Sequence, residues 1–223
     1  HGLSRNRRVL GPDGRIASGP EVKLDRPDLT FGPIDPQVGV LLVESLVGAE
    51  RSVLVNFACH PVTVQVQPLV SADFPGPAMS FVEANLPGCT NSLFLQGACG
   101  NINPIRNTTD FADVERYGLM LGGEALKLAA HMSAPDYPVV TGPISVRSET
   151  VILAARELPD RAPFQQRYDE AAQALARATS EADRSHWRRQ QRTAEETLVL
   201  FDRGSDPIPA EEQVIGLGDV ALV

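Results

Sequence analysis

A chain of 223 residues that is 43% hydrophobic can bury a sizeable core, and with only 5% aromatics that core is aliphatic. The 20 basic residues are outnumbered by 28 acidic ones, giving a net charge of -8. With no basic stripe, that balance excludes nucleic acid as the main partner, and no apolar run approaches the ~20 residues of a membrane-spanning helix.

No secretory leader is visible, and the sequence opens on His1 rather than Met, so its true start is expected elsewhere. Residues 1–36 are rich in Gly, Pro, Arg and Asp, with turn chemistry at "GPDGR" and "GPIDP"; they read as a long irregular surface segment. "VGVLLVESL" (38–46) and "SVLVNFAC" (52–59) are β-branched and aliphatic, and the short spacer between them predicts a hairpin. "DFPGPAMSFVEANL" (73–86) reads as a helix entry, with Asp73 as N-cap and Pro75 and Pro77 in the first turn. "SLFLQGACG" (92–100) is a further buried strand ending in small residues. "DVERYGLMLGGEALKLAAHM" (113–132) is an amphipathic helix weakened at Gly122–Gly123. "YPVVTGPISVRSETVILA" (137–154) predicts one or two strands. From Arg161 to Phe201 the composition turns to Ala, Glu, Gln and Arg with helical spacing, a long helix or an antiparallel pair broken near Ser180 or Ser185. "RGSDPIP" ends it, and "EEQVIGLGDVALV" closes as a strand pair turned at "GLGD". The fold class that follows is α/β, a mixed sheet flanked by helices.

Chemistry in such folds gathers where strands end. His60 stands at one such end. Pro61 removes the next backbone donor, so the imidazole is presented at a rigid corner. The plain alternative is a core histidine with one ring nitrogen bonded to a carbonyl. Cys59 is on the opposite face by strand alternation and is not expected to share a ligand with His60. His131 and His186, on charged helices, read as surface residues. In "QGACGNINP", Gly97 and Gly100 allow close backbone approach and a nest of N–H groups, and Asn101 and Asn103 offer amides; Asn-rich tight turns are also common without function. Asp73 is either a helix cap or a residue supporting the site. Arg7 and Arg8 are surface charges by default, or anchors for a carbonyl or oxyanion. Cys59, Cys89 and Cys99 lack zinc-ribbon spacing; Cys59 and Cys99 read as small buried hydrophobes, which leaves the redox compartment open.

Taken in order, "NRR", "DPQVGVLLVE", "VLVNFACHPVTV", "SADFPG", "LFLQGACGNINP" and "VIGLGDVALV" resemble the neutral/alkaline (non-lysosomal) ceramidase family. The resemblance covers about the first hundred residues and the last strand. It implies a zinc amidase that cleaves the N-acyl bond of ceramide. That family's metal is held by two histidines, a glutamate and a tyrosine, and His60 matches the second histidine. The other ligands are expected outside 1–223, so the chain reads as an internal piece, inactive alone, of one catalytic domain carrying a helical insertion at 161–203. A spacer is the reading favoured for that insertion. Arg7 matches the family's "NR" arginine, with Arg8 the alternative. Where the family reads "GDVSP", Asn101 replaces the Asp and Asn103 the Ser. An amide is no nucleophile, so a metal-activated water is left to attack, Asn103 is left to donate a hydrogen bond, and the substrate is opened to N-acyl lipids other than ceramide. Asp73, Gly97 and Gly100 would support the site. The resemblance also implies a lipid-like partner and a secreted or periplasmic location. The rival readings are a hydrolase of a different amide or ester and a non-catalytic binding module.

Overall fold

The structure, a computed structural model, describes residues 2–18, 29–64, 68–105, 110–155 and 157–222. They fall into two units, residues 1–138 and 139–223.

The first unit begins with four short strands, β1 (Ser4–Asn6), β2 (Arg8–Leu10), β3 (Ile16–Ser18) and β4 (Thr30–Phe31). β2 lies between β3 and β4, antiparallel to both. This corrects the expectation of an irregular surface segment: Leu3 and Val9 are fully buried. Strands of two or three residues are too short to leave a periodic trace. Residues 19–28 of that segment lie outside the described residues.

The expected hairpin is formed by β5 (Val38–Glu44) and β6 (Arg51–Phe57), antiparallel in continuous register from Val38↔Phe57 to Glu44↔Arg51. After β6 the chain runs through α1 (Pro75–Asn85) into β7 (Cys89–Gln96), which pairs parallel to β6. One sheet, ordered β5-β6-β7, thus mixes both pairings. β8 (Ile102–Pro104) returns to pair antiparallel with β1. α2 (Phe111–Met132) follows, its first turn capped by Asp110, which accepts from Ala112 N.

Alternation along β6 puts Val53, Val55 and Phe57 on one face, all fully buried. They join a core with Phe74, Ala78, Met79 and Val82 from the α1 region and with Tyr117, Leu121 and Ala125 of α2. Burying each large aliphatic or aromatic side chain stabilises the fold by about 1.5–3 kcal/mol. α1 and α2 touch closely because α2 carries glycines at the contact. A Cβ on Gly118 would stand 2.7 Å from Pro77 Cβ, and one on Gly122 would stand 2.8 Å from Ala78 O. Gly122 is therefore a packing device as well as a break in helix propensity.

In the second unit, β9 (Ile144–Leu153) is one long strand, paired over its whole length with β10 (Ile208–Leu217). β11 (Val220–Leu222) folds back on β10 through Gly218–Asp219, as "GLGD" predicts. Between β9 and β10 lie α3 (Ala162–Arg177) and α4 (Glu181–Arg203). The break falls at Ser180, whose hydroxyl caps α4 by accepting from Asp183 N at 3.0 Å. The helices pack on each other through Ala171, Ala194 and Leu198, with Phe164 against Phe201 at 5.5 Å. Arg161 and Asp202 close the open end as an ion pair. No helix of the described residues is long and apolar enough to cross a membrane.

Candidate functional site

The site is assembled on the β1–β8 ribbon and the corner after β6. The ribbon's register sets Ser4 opposite Pro104, Arg5 opposite Asn103 and Asn6 opposite Ile102. Two further backbone bonds, Ile105 N to Leu3 O and Arg7 N to Asn101 O, each 2.8 Å, extend it at both ends. Ser4, Asn6, Ile102 and Pro104 turn inward and are buried. Arg5, Arg7, Asn101 and Asn103 therefore share the other face.

The β6 corner is fastened to this ribbon. His60 N donates to Ile102 O at 3.0 Å, and ring Nδ1 reaches the same oxygen at 3.0 Å. A carbonyl oxygen only accepts, so Nδ1 carries the proton. In the neutral ring, Nε2 keeps its lone pair. Nε2 makes no hydrogen bond among the described residues, and the ring is half-buried. Upstream, Gln96 braces the corner: its Nε2 donates to Cys59 O at 3.1 Å and Phe57 O at 3.3 Å. Cys59 itself is fully buried on the core side, its thiol pushed well above the usual range by burial, with Cys99 and Asp73 adding to the shift.

Arg7 lies at the exposed end of the face, with Nη2 donating to Gly100 O at 2.9 Å. Arg8 is an exposed residue of β2 and makes a local bond, its N donating to Asn6 Oδ1. Asn103 is half-buried, and its Oδ1 is buried with no hydrogen-bond partner among the described residues. Thr63 Oγ1 and Ser4 Oγ are in the same condition. Buried polar atoms without partners cost about 1–3 kcal/mol each, and such a group in a native fold calls for a reason.

Two expectations change. Gly97 does not offer a free N–H: its N donates to Phe57 O at 3.1 Å, and a Cβ there would stand 3.0 Å from Ala58 N. Its lack of a side chain serves the contact between β6 and β7. Gly100, by contrast, has open space around it. Asp73 is not the N-cap of α1. That place belongs to Phe74, with Pro75 and Pro77 in the first turn as expected. Asp73 stands one residue earlier, buried, at φ 52°. Its Oδ1 accepts from Phe74 N at 2.8 Å and its Oδ2 from Val64 N at 3.1 Å. It ties the chain four residues beyond His60 to the start of α1. His131 and His186 are exposed, His131 edge-on to Tyr137 and His186 to Trp187.

Arg5 and Gln96 are the residues that sequence reasoning missed as contributors. For Arg5 the signal is only its place in a three-residue strand, too short to leave a period in the sequence.

No protein-family model and no curated protein matches the chain. Among solved structures, that of neutral ceramidase from Pseudomonas aeruginosa superposes on 99% of this chain with a TM-score of 0.54 at 18% identity. The fold is that of part of neutral ceramidase. The match spans 38% of the neutral ceramidase chain, so this sequence corresponds to well under half of that protein's length. A second structure, a ceramidase complexed with C2, matches over 70% of this chain and 24% of its own, with a TM-score of 0.46 at 22% identity. At these identities the likeness to neutral ceramidase is one of fold.

Proposed function

We propose that the chain carries part of the active site of a zinc-dependent amide hydrolase, one that cleaves the N-acyl bond of ceramide or of a related N-acyl lipid. The observation that carries this reading is the mounting of His60. Its Nδ1–H is held by the Ile102 carbonyl and its Nε2 is left over, the arrangement in which a neutral imidazole serves a metal. Zinc accepts such a nitrogen donor. Among the described residues no three His, Cys, Asp or Glu side chains gather around one point. His60 would be one ligand, and the family resemblance puts the others outside residues 1–223. When bound, zinc polarises the scissile carbonyl and lowers the pKa of a water from ~16 toward ~7.

The chain's own groups would do the positioning. Arg7, Asn101 and Asn103 lie along one ribbon face and can orient an acyl oxygen by hydrogen bonds. Asn103 has no nucleophilic atom, so it would bind rather than attack. Asp73 would hold the segment after His60, and Gly100 would anchor Arg7 through its carbonyl. Both units would belong to one catalytic domain, with α3 and α4 an inserted spacer. The carboxamides at 101 and 103 favour an acyl amide other than ceramide as a second reading.

The test uses the full-length protein. Zinc content and release of fatty acid from ceramide and from short N-acyl amines are measured before and after chelation. Hydrolysis that disappears with the metal and returns with added zinc is the expected result. Turnover indifferent to chelation, or none on any N-acyl amine, would refute it. Turnover of short N-acyl amines without ceramide would select the second reading.

A further inference from the structure

The peptide bond that leads into His60 is held at both of its polar atoms. Its nitrogen, His60 N, donates to Ile102 O at 3.0 Å. Its oxygen, Cys59 O, accepts from Gln96 Nε2 at 3.1 Å and from no other group among the described residues. Gln96 is the last residue of β7 and is registered beside Phe57, the last residue of β6. Its amide nitrogen also donates to Phe57 O and to Gly97 O, each at 3.3 Å. Carbonyl oxygens only accept, so three of them fix which end of the Gln96 amide turns toward the corner. Beyond His60, Val62 N donates to His60 O at 2.9 Å across Pro61, closing a tight turn. The histidine backbone is thus tied to β8 through Ile102 and to β7 through the Gln96 side chain.

These ties divide the work. The ring's own bond to Ile102 O fixes its rotation. The plane of the Cys59–His60 peptide fixes where the side chain starts, and with it the position of Nε2. Gln96 is itself exposed, so its bonds hold the corner in shape rather than fill a core. We propose that Gln96 is a positioning residue for the metal: by pinning the Cys59–His60 peptide it holds Nε2 where a cation can use it, and so sets the affinity of the site. The proposal rests on the hydrolase reading above, in which His60 is a zinc ligand. A ligand that must be moved into place on binding costs affinity that a preorganised one does not.

The experiment measures the zinc affinity of the full-length protein by competition with a chromophoric chelator, for the wild type, His60→Asn, Gln96→Leu and Gln96→Met. Leu and Met keep the bulk of the glutamine stem and remove the donor. Metal-free melting is recorded beside it, with the visible ligand-field bands of the cobalt-substituted protein. Both Gln96 variants are expected to melt near the wild type without metal and to show shifted cobalt bands. They should bind zinc at least about tenfold more weakly, the lower end of what a residue supporting a metal ligand contributes. A purely structural brace would lower the metal-free melting and leave the affinity and the bands in place. A smaller loss of affinity, or unchanged cobalt bands, in a folded Gln96 variant would overturn the proposal, as would failure of both variants to fold. His60→Asn separates this failure from that of the hydrolase reading. Zinc held equally, or not at all, by the wild type and His60→Asn removes that reading and this proposal with it. Zinc lost in His60→Asn but kept in both Gln96 variants removes this proposal alone.

Discussion

His60 and Ile102 are joined twice at one oxygen: the backbone N and the ring Nδ1 of the histidine both donate to the Ile102 carbonyl at 3.0 Å. The backbone bond sets the corner and the ring bond sets the imidazole. The two roles can be separated by substitution. Asn carries a donor near the Nδ1 position and nothing at Nε2. His60→Asn in the full-length protein should keep its stability within about 1 kcal/mol, the size of one hydrogen bond, while losing zinc and zinc-dependent activity. His60→Ala should lose the same activity and about 1 kcal/mol more stability. Metal analysis beside thermal unfolding checks both, and normal zinc content in His60→Asn would show that the ring is not a ligand.

Asn103 gives the opposite balance. Its Oδ1 is buried without a partner among the described residues, so removing the amide should relieve a penalty. Asn103→Ala is expected to leave stability unchanged or raise it by about 1 kcal/mol, while lowering kcat ten- to hundredfold if the amide serves the reacting oxygen. Denaturant midpoints and steady-state kinetics on one preparation would decide. A loss of stability with kcat intact would make Asn103 purely structural.

Asp73 combines a left-handed backbone with two accepted backbone bonds. Asp73→Ala loses both bonds and places Ala at positive φ, and should destabilise by about 3 kcal/mol or more. Asn tolerates that conformation and keeps one acceptor, so Asp73→Asn should lose only about 1–2 kcal/mol. Equal losses in the two variants, measured by urea unfolding, would contradict this account.

Gly122 and Gly123 are neighbours with opposite surroundings. A Cβ on Gly122 meets Ala78 O at 2.8 Å, and one on Gly123 meets nothing within 4 Å. Gly123→Ala should stabilise by up to about 1 kcal/mol through helix propensity. Gly122→Ala should lose about 1–3 kcal/mol net, because α1 must move away. The sign difference, read from paired melting curves, is the test.

Cys59 is buried and its thiol is held protonated, whereas Cys89 and Cys99 are half-buried. Thiol reagents at pH 8 should label Cys89 and Cys99 first and Cys59 only on unfolding. The sign with pH follows. Below the ordinary thiol pKa of about 8.5 both states are protonated and the contribution is complete. Above it only the unfolded chain loses the proton, so stability falls, by up to about 1.4 kcal/mol per pH unit. Cys59→Ala should flatten that part of the alkaline slope; an unchanged slope would remove Cys59 as its source.

Where the chain follows a long, one-sided pattern, the sequence is readable. The 38–57 hairpin, the strand through Leu95, the helix around Leu121 and the turn at Gly218 all follow from alternation, helical spacing or turn residues acting locally. The break between α3 and α4 was placed near Ser180 or Ser185, and the structure puts it at Ser180, whose hydroxyl accepts from Asp183 N. The ribbon made by Ser4–Asn6 and Ile102–Pro104 was not, because each half is three residues long and its partner is distant. That loss hid Arg5, whose face is defined only by the pairing. Asp73 was misplaced by one residue because capping statistics favour an aspartate before Pro75, whereas its side chain serves Val64 and Phe74.

The pairing of Arg5 with Asn103 spans almost a hundred residues, the longest reach of any strand pair in the first unit. Contacts of such separation bear the largest loop-closure entropy and tend to form late in folding. The sheet and its two helices can condense from near-neighbour contacts before Ser4–Asn6 and Ile102–Pro104 meet to close the ribbon. The carbonyl of Ile102 would receive the histidine only once that closure holds it still, which makes functional competence a separate and later event than collapse, and the most easily undone by disrupting the Ser4–Asn6 strand.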